Sequence, residues 1–229
     1  FLNNIIVDWY MSKINDVKKS DIILTVSEFS RNKIIELMKV NPQKVYVAYN
    51  GYDEKIFHSS TNRNKKNFIL YVGAGDDYKN LDRLIQAYSL LPVNLRNRYT
   101  LVLAGHDLKN KTISSTKNYN TYPNYIEDAS DDEIATLMRE CSLFVFPYYA
   151  EGFGLPALEA MACGAPVIAS NATSLPEVVN NINALFDPFD VNDIAKHMET
   201  VLTDENYANQ LMLQGMQHAK KFSWTNSSK

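Results

Sequence analysis

The sequence lacks several features that would define its class at once. Its two cysteines, Cys141 and Cys163, are not spaced as a metal site or a CxxC redox motif, so we expect buried free thiols and a cytoplasmic protein. No window approaches about 18 consecutive apolar residues, so no membrane span is predicted. The first residues have neither a basic stretch nor a long apolar run, which excludes a signal peptide.

An excess of charge of one sign is also absent. The formal net charge of the 229 residues is −3, which argues against a nucleic-acid binder that works by neutralising phosphates. Hydrophobic residues make up 45% of the chain and charged residues 21%, which excludes a disordered or fibrous protein. The length predicts one domain plus a substantial further piece.

Short apolar runs alternate with amphipathic stretches along the chain. Strands are predicted at residues 22–26, 45–48, 68–72, 99–104, 143–146, 166–169 and 184–186. Helices are predicted at residues 28–39, 80–91, 131–141, 155–163, 190–202 and 205–221, with a short one from residue 174. Unbroken apolar strands separated by helices are typical of an α/β fold with a Rossmann-like parallel sheet and helices on both faces.

Local patterns add detail to this outline. The Ser-x-x-Glu patterns at residues 130–133 and 174–177 match the capping box that starts a helix. Asn80 is placed to cap the helix that follows it. The polar residues 107–121 predict a surface loop, and the polar stretch 51–66 predicts a linker.

The densest candidate for a site is the segment 147–159, Pro-Tyr-Tyr-Ala-Glu-Gly-Phe-Gly-Leu-Pro-Ala-Leu-Glu, which joins a strand to a helix. Ligands of parallel sheets bind beyond the carboxyl ends of the strands, which places this segment on one rim with Gly73 and Gly105. The start of the helix presents free N–H groups and the positive end of its dipole, which suits a diphosphate. The rim therefore predicts a site for a phosphate-bearing or nucleotide-bearing ligand.

Two carboxylates flank the turn in this segment. Glu159 falls about one turn into the helix, where it can accept hydrogen bonds from two adjacent hydroxyls, such as those of a ribose. Glu151 precedes the turn, on the other side of the anion site. The alternative is that Glu159 only stabilises the start of the helix and that Glu151 is solvated. The Gly-Phe-Gly-Leu-Pro sequence between them favours a ligand site, because the glycines let the backbone approach a ligand closely.

The segment 73–80, Gly-Ala-Gly-Asp-Asp-Tyr-Lys-Asn, is a second candidate. It matches two glycines of a dinucleotide-binding fingerprint but has Tyr78 at the third position, and Asp107 could mimic the ribose-binding acid of that fold. Lys79 lies on the same rim and could neutralise a leaving diphosphate, or it is a solvated surface lysine. His106 follows a strand end and could face the site. The chain has no Asp-x-Asp motif, and we expect no metal.

Taken with the rest of the chain, these segments resemble the retaining glycosyltransferases of family 4, which have the two-domain GT-B fold. The resemblance spans residues 21 to about 224, and its most specific part is the Glu-x7-Glu segment within residues 151–167. Shorter matches support it at residues 25–31, 49–53, 71–73, 79–80, 103–105, 175–177 and 222–224.

The resemblance implies roles for matching residues. Lys79 would bind the donor diphosphate and Glu151 would contact the donor sugar, which makes these two the candidate catalytic residues. Glu159 would hold the ribose hydroxyls, and the loop around Ala129 would meet the base through main-chain atoms. The remaining donor-binding positions lie on the predicted rim: Gly73, Gly152, Phe153, Gly154 and Leu155.

Two positions depart from the family pattern. Family members often have an arginine where this chain has Ala74, and many have another where it has Tyr78. One cation for the diphosphate is therefore missing. Either Lys79 bears more of the charge, or a residue elsewhere in the chain helps.

The activity implied by the resemblance is transfer of a hexose from a UDP- or GDP-sugar to a hydroxyl of a glycan or lipid-linked glycan, with retention and without a cofactor. Bacterial surface polysaccharide synthesis, of O-antigen or capsule, is the expected setting. A lipid-linked acceptor would place the whole enzyme at the inner face of the cytoplasmic membrane. Two alternatives stay open: a non-catalytic module that binds nucleotide-sugars, and an NAD-dependent oxidoreductase that uses Gly73 and Gly75.

The resemblance also divides the chain. Residues 1–51 would be the C-terminal remnant of an acceptor domain, residues 52–66 a linker, and residues 67–229 the donor-binding domain. Phe1 would then mark a truncation, and we expect donor binding with little transfer from this chain alone. Residues 1–51 should carry uncovered apolar surface, which a dimer could cover.

Overall fold

The computed structural model describes residues 14–60 and 64–227. The strands are β1 (Ile23–Thr25), β2 (Val45–Val47), β3 (Lys66–Val72), β4 (Thr100–Ala104), β5 (Asn124–Ile126), β6 (Cys141–Phe146), β7 (Val167–Ser170) and β8 (Leu185–Phe186). The helices are α1 (14–19), α2 (Glu28–Met38), α3 (Leu81–Leu90), α4 (Val93–Arg98), α5 (Leu108–Asn118), α6 (Asp131–Glu140), α7 (Leu155–Ala162), α8 (Leu175–Val179), α9 (Val191–Thr203), α10 (Glu205–Ala219) and α11 (Trp224–Ser227).

Every strand pairing among the described residues is parallel. Six strands form one sheet in the order β5-β4-β3-β6-β7-β8, and β1 and β2 form a separate two-stranded sheet. The chain builds the large sheet outward from β3 to β5 and then returns to the other side of β3 with β6. The predicted Rossmann-like α/β fold is confirmed, and the order of its strands reverses between β3 and β6.

The large sheet is buried because helices cover both of its faces. Ile69, Leu70 and Tyr71 in β3, with Phe144 and Phe146 in β6, are fully buried. Helices α3 and α9 pack together, as do α7 and α10. This double cover explains why the strands read as unbroken apolar runs. Cys141 and Cys163 are buried free thiols, as expected. No described helix has the length and hydrophobicity needed to cross a membrane.

The elements β1, α2 and β2 form a small unit, which we call the N-terminal unit. Its own core contains Ile23, Val40 and Val45. On the opposite face of its sheet, Leu24 and Tyr46 are register partners, and their exposed fractions are 69% and 53%. The expected uncovered apolar surface is therefore present on this unit. Phe1, which the resemblance leads us to interpret as the mark of a truncation, lies outside the described ranges.

The polar stretch between the two sheets belongs to the larger domain where it is described. Phe57 packs into the main core, and Lys66 is the first residue of β3. The described part of the predicted linker is thus attached to the six-stranded sheet.

The predicted loop over residues 107–121 is wrong, because most of it forms α5. Leu108 is fully buried, and the hydroxyl side chains of Thr112 and Ser115 are buried as well. Thr112 Oγ1 donates to the Leu108 carbonyl at 2.9 Å and shares a hydrogen bond with the Tyr125 hydroxyl. Ser115 Oγ donates to Asp82 on α3. Because this helix packs through hydroxyl groups, it has no apolar periodicity that the sequence could reveal.

Candidate functional site

The candidate site lies at the carboxyl ends of β3 and β6, where the strand order reverses. Gly73 follows β3 with φ of 157° and Gly105 follows β4 with φ of 145°, conformations that favour glycine. A Cβ on Gly73 would overlap the hydroxyl of Tyr148, and a Cβ on Gly105 would overlap the Gly73 carbonyl. The predicted rim is therefore present, and its strand ends approach one another too closely for a side chain at either glycine.

Asn80 holds the segments of this rim together. Its buried Nδ2 donates to the carbonyl oxygen of Pro147 at 3.0 Å and to that of Pro188 at 2.7 Å. Its Oδ1 accepts a hydrogen bond from Arg83 at 2.8 Å. Asn80 is the N-cap residue of α3, as predicted, but its side chain makes no capping hydrogen bond. Its amide instead joins the segments that follow β3, β6 and β8.

Lys79 lies at the end of a short 3-10 turn immediately before Asn80. Its side chain is only 16% exposed, so it is not a solvated surface lysine. Its ammonium lies 3.2 Å from the Asp76 carboxylate, 5.6 Å from the centre of the Tyr78 ring and 5.7 Å from that of the Tyr148 ring. One carboxylate and two aromatic rings therefore surround this cation, and one of the rings is Tyr78, where the resemblance leads us to expect an arginine.

The loop that follows β6 is stabilised by hydrogen bonds to the carboxylate of its own residue Glu151. Glu151 Oε1 accepts hydrogen bonds from the backbone N–H of Gly152 at 3.0 Å and that of Phe153 at 3.5 Å. Gly152 and Phe153 are two of the residues that the resemblance assigns to donor binding. Gly154 then turns the chain with φ of 107°, and α7 begins at Leu155. We call residues 151–154 the donor loop, after the role proposed for it below.

Glu159 lies on α7 and is largely buried. Burial first, and then the negative charge of Asp131, raise the pKa of this carboxyl to about 7. Helix α7, which carries Glu159, packs against α6, and α6 begins at Asp131 shortly after Ala129. The carboxylate and the loop that the resemblance assigns to the ribose and the base therefore lie on neighbouring elements.

Tyr148 is a buried ring beside the candidate catalytic residue Lys79. Its ring stacks on Phe146 with centroids 4.0 Å apart, and its hydroxyl donates to the Val72 carbonyl at 2.9 Å. Burial raises the pKa of Tyr148, so its hydroxyl stays protonated. The ring therefore packs under the Lys79 ammonium. A tyrosine after a buried strand and a proline gave no sequence signal for this role.

Two other predicted residues lie at the edge of the site. The imidazole of His106 is 82% exposed and lies 3.5 Å from the Asp128 carboxylate, beside the Ala129 loop. Asp107 precedes α5 and accepts a hydrogen bond from Asn110. Within the described ranges, no group of three or more histidine, cysteine or acidic side chains could hold a metal ion.

The comparison with known families identifies one match over most of the chain. The model described as "Glycosyl transferases group 1" matches residues 53–218. Among curated proteins, the serotype-specific mannosyltransferase WbdA of Escherichia coli is 34% identical over 96% of this chain and 29% of its own length. The O-antigen chain mannosyltransferase B of Escherichia coli is 34% identical over 95% of this chain and 61% of its own length. The chain thus spans less than two thirds of either relative.

Solved structures share the fold. Anabaena Alr3699/HepE in complex with UDP and glucose superposes with a TM-score of 0.84 at 20% identity, over 95% of this chain and 64% of the other. Sucrose-phosphate synthase from Thermosynechococcus elongatus superposes with a TM-score of 0.85 at 24% identity, over 95% of this chain and 58% of the other. At these identities the likeness concerns the arrangement of strands and helices.

The burial of Glu159 predicts a pH-dependent cost to stability. Its pKa is about 7 in the folded chain against an ordinary value of 4.5, so the folded state binds more protons between these values and loses stability as pH rises through them. We expect Glu159→Gln to stabilise the fold by about 3 kcal/mol at pH 8 and by well under about 1 kcal/mol at pH 4.5, as measured by urea denaturation. Glu199→Gln, at an exposed position of α9, is the matched control and should change little at either pH.

Proposed function

The chain belongs to the group 1 glycosyl transferases, and from this premise we propose that it is the donor-binding part of an enzyme that transfers a hexose with retention. The donor is a UDP- or GDP-sugar, and the acceptor is a hydroxyl of a glycan or lipid-linked glycan. The proposal assigns the chain to family 4 and to the GT-B arrangement, in which residues 67–229 bind the donor and the N-terminal unit belongs to the acceptor side.

One observation carries this proposal: a shielded lysine, the start of α7 and a buried carboxylate lie on the same rim at the reversal of the sheet. Lys79 and the start of α7 supply positive charge for a diphosphate. Glu159 supplies an acceptor for two ribose hydroxyls, and the Ala129 loop offers main-chain atoms to the base. Gly73 and residues 152–155 provide close backbone approach to the donor.

Catalysis in this proposal rests on stabilising the charge of the leaving nucleotide diphosphate, with Lys79 and the start of α7 contributing most. The leaving phosphate helps to deprotonate the acceptor, so no protein nucleophile and no metal are required. Glu151 already accepts two hydrogen bonds from its own loop, which favours a role in shaping the sugar site over nucleophilic attack.

The names of the relatives guide the choice of sugar and setting. WbdA and the O-antigen chain mannosyltransferase B are both named as mannosyltransferases. We therefore propose mannose as the first donor sugar to test and a bacterial surface polysaccharide such as O-antigen as the product. A lipid-linked acceptor would bring the whole enzyme to the inner face of the cytoplasmic membrane, and the Leu24–Tyr46 face could support a dimer.

The donor is tested by calorimetry against UDP, GDP, their hexose conjugates and NAD. Binding of a UDP or GDP compound, with none of NAD, is the expected result. NAD binding alone would favour the oxidoreductase. Tyr78, at the third glycine position of the dinucleotide-binding fingerprint, argues against such a site. Nucleotide-sugar binding by the whole protein without any transfer would favour the non-catalytic module.

Lys79→Ala should abolish most of the transfer by the whole protein. Removing the principal charge on the leaving diphosphate should lower kcat by at least about a hundredfold, because such electrostatic contacts act mainly in the transition state. Steady-state kinetics measure the effect. Lys117→Ala, at an exposed position of α5, is the matched control and should retain full activity. An unchanged kcat for Lys79→Ala would remove this lysine from the mechanism.

Nucleotide binding should weaken as pH falls below 7. The ribose contact uses the ionised form of Glu159, and with a pKa of about 7 its ionised fraction falls about tenfold per pH unit below that value. Calorimetric titration should show the Kd for the nucleotide rising accordingly between pH 7 and pH 5.5. Glu159→Gln should bind more weakly at pH 8 and lose this pH dependence. Equal affinity of both proteins at pH 8 would refute the ribose role.

A further inference from the structure

The five residues 173–177, which we call the coupling segment, run from the turn after β7 into the first residues of α8. Thr173 has φ of 52°, in the left-handed region that a β-branched residue rarely adopts. Such strain persists where surrounding contacts impose it, and it is common at functional segments. The side chains of this segment show what imposes it here.

On one side, the coupling segment holds the donor loop. Thr173 Oγ1 accepts a hydrogen bond from the Glu151 N–H at 3.2 Å. The hydroxyl oxygen of the fully buried Ser174 lies 3.0 Å from the carbonyl oxygens of both Glu151 and Phe153, which share its single donor hydrogen. Ser174 therefore does not start a capping box, and that prediction for residues 174–177 is wrong.

On the other side, the coupling segment holds the N-terminal unit. The Glu177 carboxylate accepts hydrogen bonds from the N–H groups of Glu28 at 2.9 Å and Phe29 at 3.1 Å, in the first turn of α2. It also accepts one from the Tyr49 hydroxyl at 3.2 Å. Burial, and then the charge of Glu177, raise the pKa of Tyr49 to about 12, so its hydroxyl stays a donor at neutral pH. A carboxylate at the positive end of a helix is also favoured electrostatically.

The donor loop contacts both of these partners. Ser30 Oγ on α2 donates to the Gly152 carbonyl at 3.3 Å. The ring of Tyr49, just after β2, lies 6.1 Å from the Phe153 ring, and both rings contact Phe222. Because the coupling segment bonds to Glu151 and Phe153, a displacement of α2 or of Tyr49 would be transmitted to a loop that the coupling segment also holds.

We propose that Glu177 is a positioning residue for the transfer reaction: it ties the N-terminal unit to the donor loop, so that a bound donor and the acceptor side are held in register. This inference rests on the proposed function, because it takes the donor loop and the acceptor side from it. Glu177 does not belong to the set assigned to the nucleotide. Its loss should therefore spare nucleotide binding and impair transfer.

Hydrogen exchange of single amides tests the tie without requiring activity. In Glu177→Ala, the N–H groups of Glu28 and Phe29 should exchange about tenfold faster or more than in the unchanged chain. Bound UDP or GDP should slow exchange at Gly152 and at Phe29 in the unchanged chain, but only at Gly152 in the variant. Asp204→Ala removes another carboxylate that starts a helix, that of the N-cap of α10, and should leave Glu28 and Phe29 unaffected. Unchanged exchange at both amides in Glu177→Ala would overturn the proposal.

Transfer by the whole protein provides the second readout. Glu177→Ala should lower kcat about tenfold or more while the nucleotide Kd changes less than about twofold. Glu177→Gln, which keeps an acceptor oxygen, should recover part of kcat. Wild-type kcat in Glu177→Ala, or loss of nucleotide binding in step with kcat, would overturn the positioning role. Absence of nucleotide binding in the unchanged protein would instead refute the proposed function, and the exchange rates would still decide whether the tie exists.

Discussion

The two hydrogen bonds donated by the Asn80 amide are the contacts on which the candidate site most depends. They bind the carbonyl oxygens of Pro147 and Pro188, so three segments that leave the parallel sheet at the same edge are fixed to one buried side chain. Lys79 directly precedes Asn80, and the donor loop directly follows the Pro147 segment. The position of the cation relative to that loop is therefore set by hydrogen bonds with defined geometry, and the sheet supplies only the common edge.

The two charges at this edge differ in their effect on stability. Lys79 is paired with Asp76 and lies over the Tyr78 and Tyr148 rings, contacts that favour the charged form of the lysine. Glu159 is largely buried, and its burial and the charge of Asp131 penalise its ionised form. Folding alone would not select a carboxyl at position 159, since an apolar side chain there would avoid the penalty. The proposed contact with ribose hydroxyls would account for it.

Sequence patterns predicted what depends on local or periodic features and missed what depends on distant partners. The apolar strands and the capping box at Ser130 are confirmed, because Ser130 and Glu133 bond to each other's backbone. The same Ser-x-x-Glu pattern does not form a capping box at residues 174–177. The Ser174 hydroxyl bonds to the donor loop, and the Glu177 carboxylate bonds to α2, up to 149 positions away. Asn80 stands at the predicted N-cap position of α3, but its side chain likewise bonds to distant carbonyl groups. Helix α5 was missed because it packs through Thr112 and Ser115.

The N-terminal unit has two faces of different character, and the difference bears on how it is held. Towards the donor loop it is held by hydrogen bonds, chiefly those of Glu177, which fix direction and distance. Away from the loop, its sheet exposes Leu24 and Tyr46, whose burial would be favourable in any orientation. An apolar surface could hold the unit in many positions, but it could not select the one that aligns it with the loop. The polar tie is therefore the contact that sets where an acceptor bound by this unit would meet the donor.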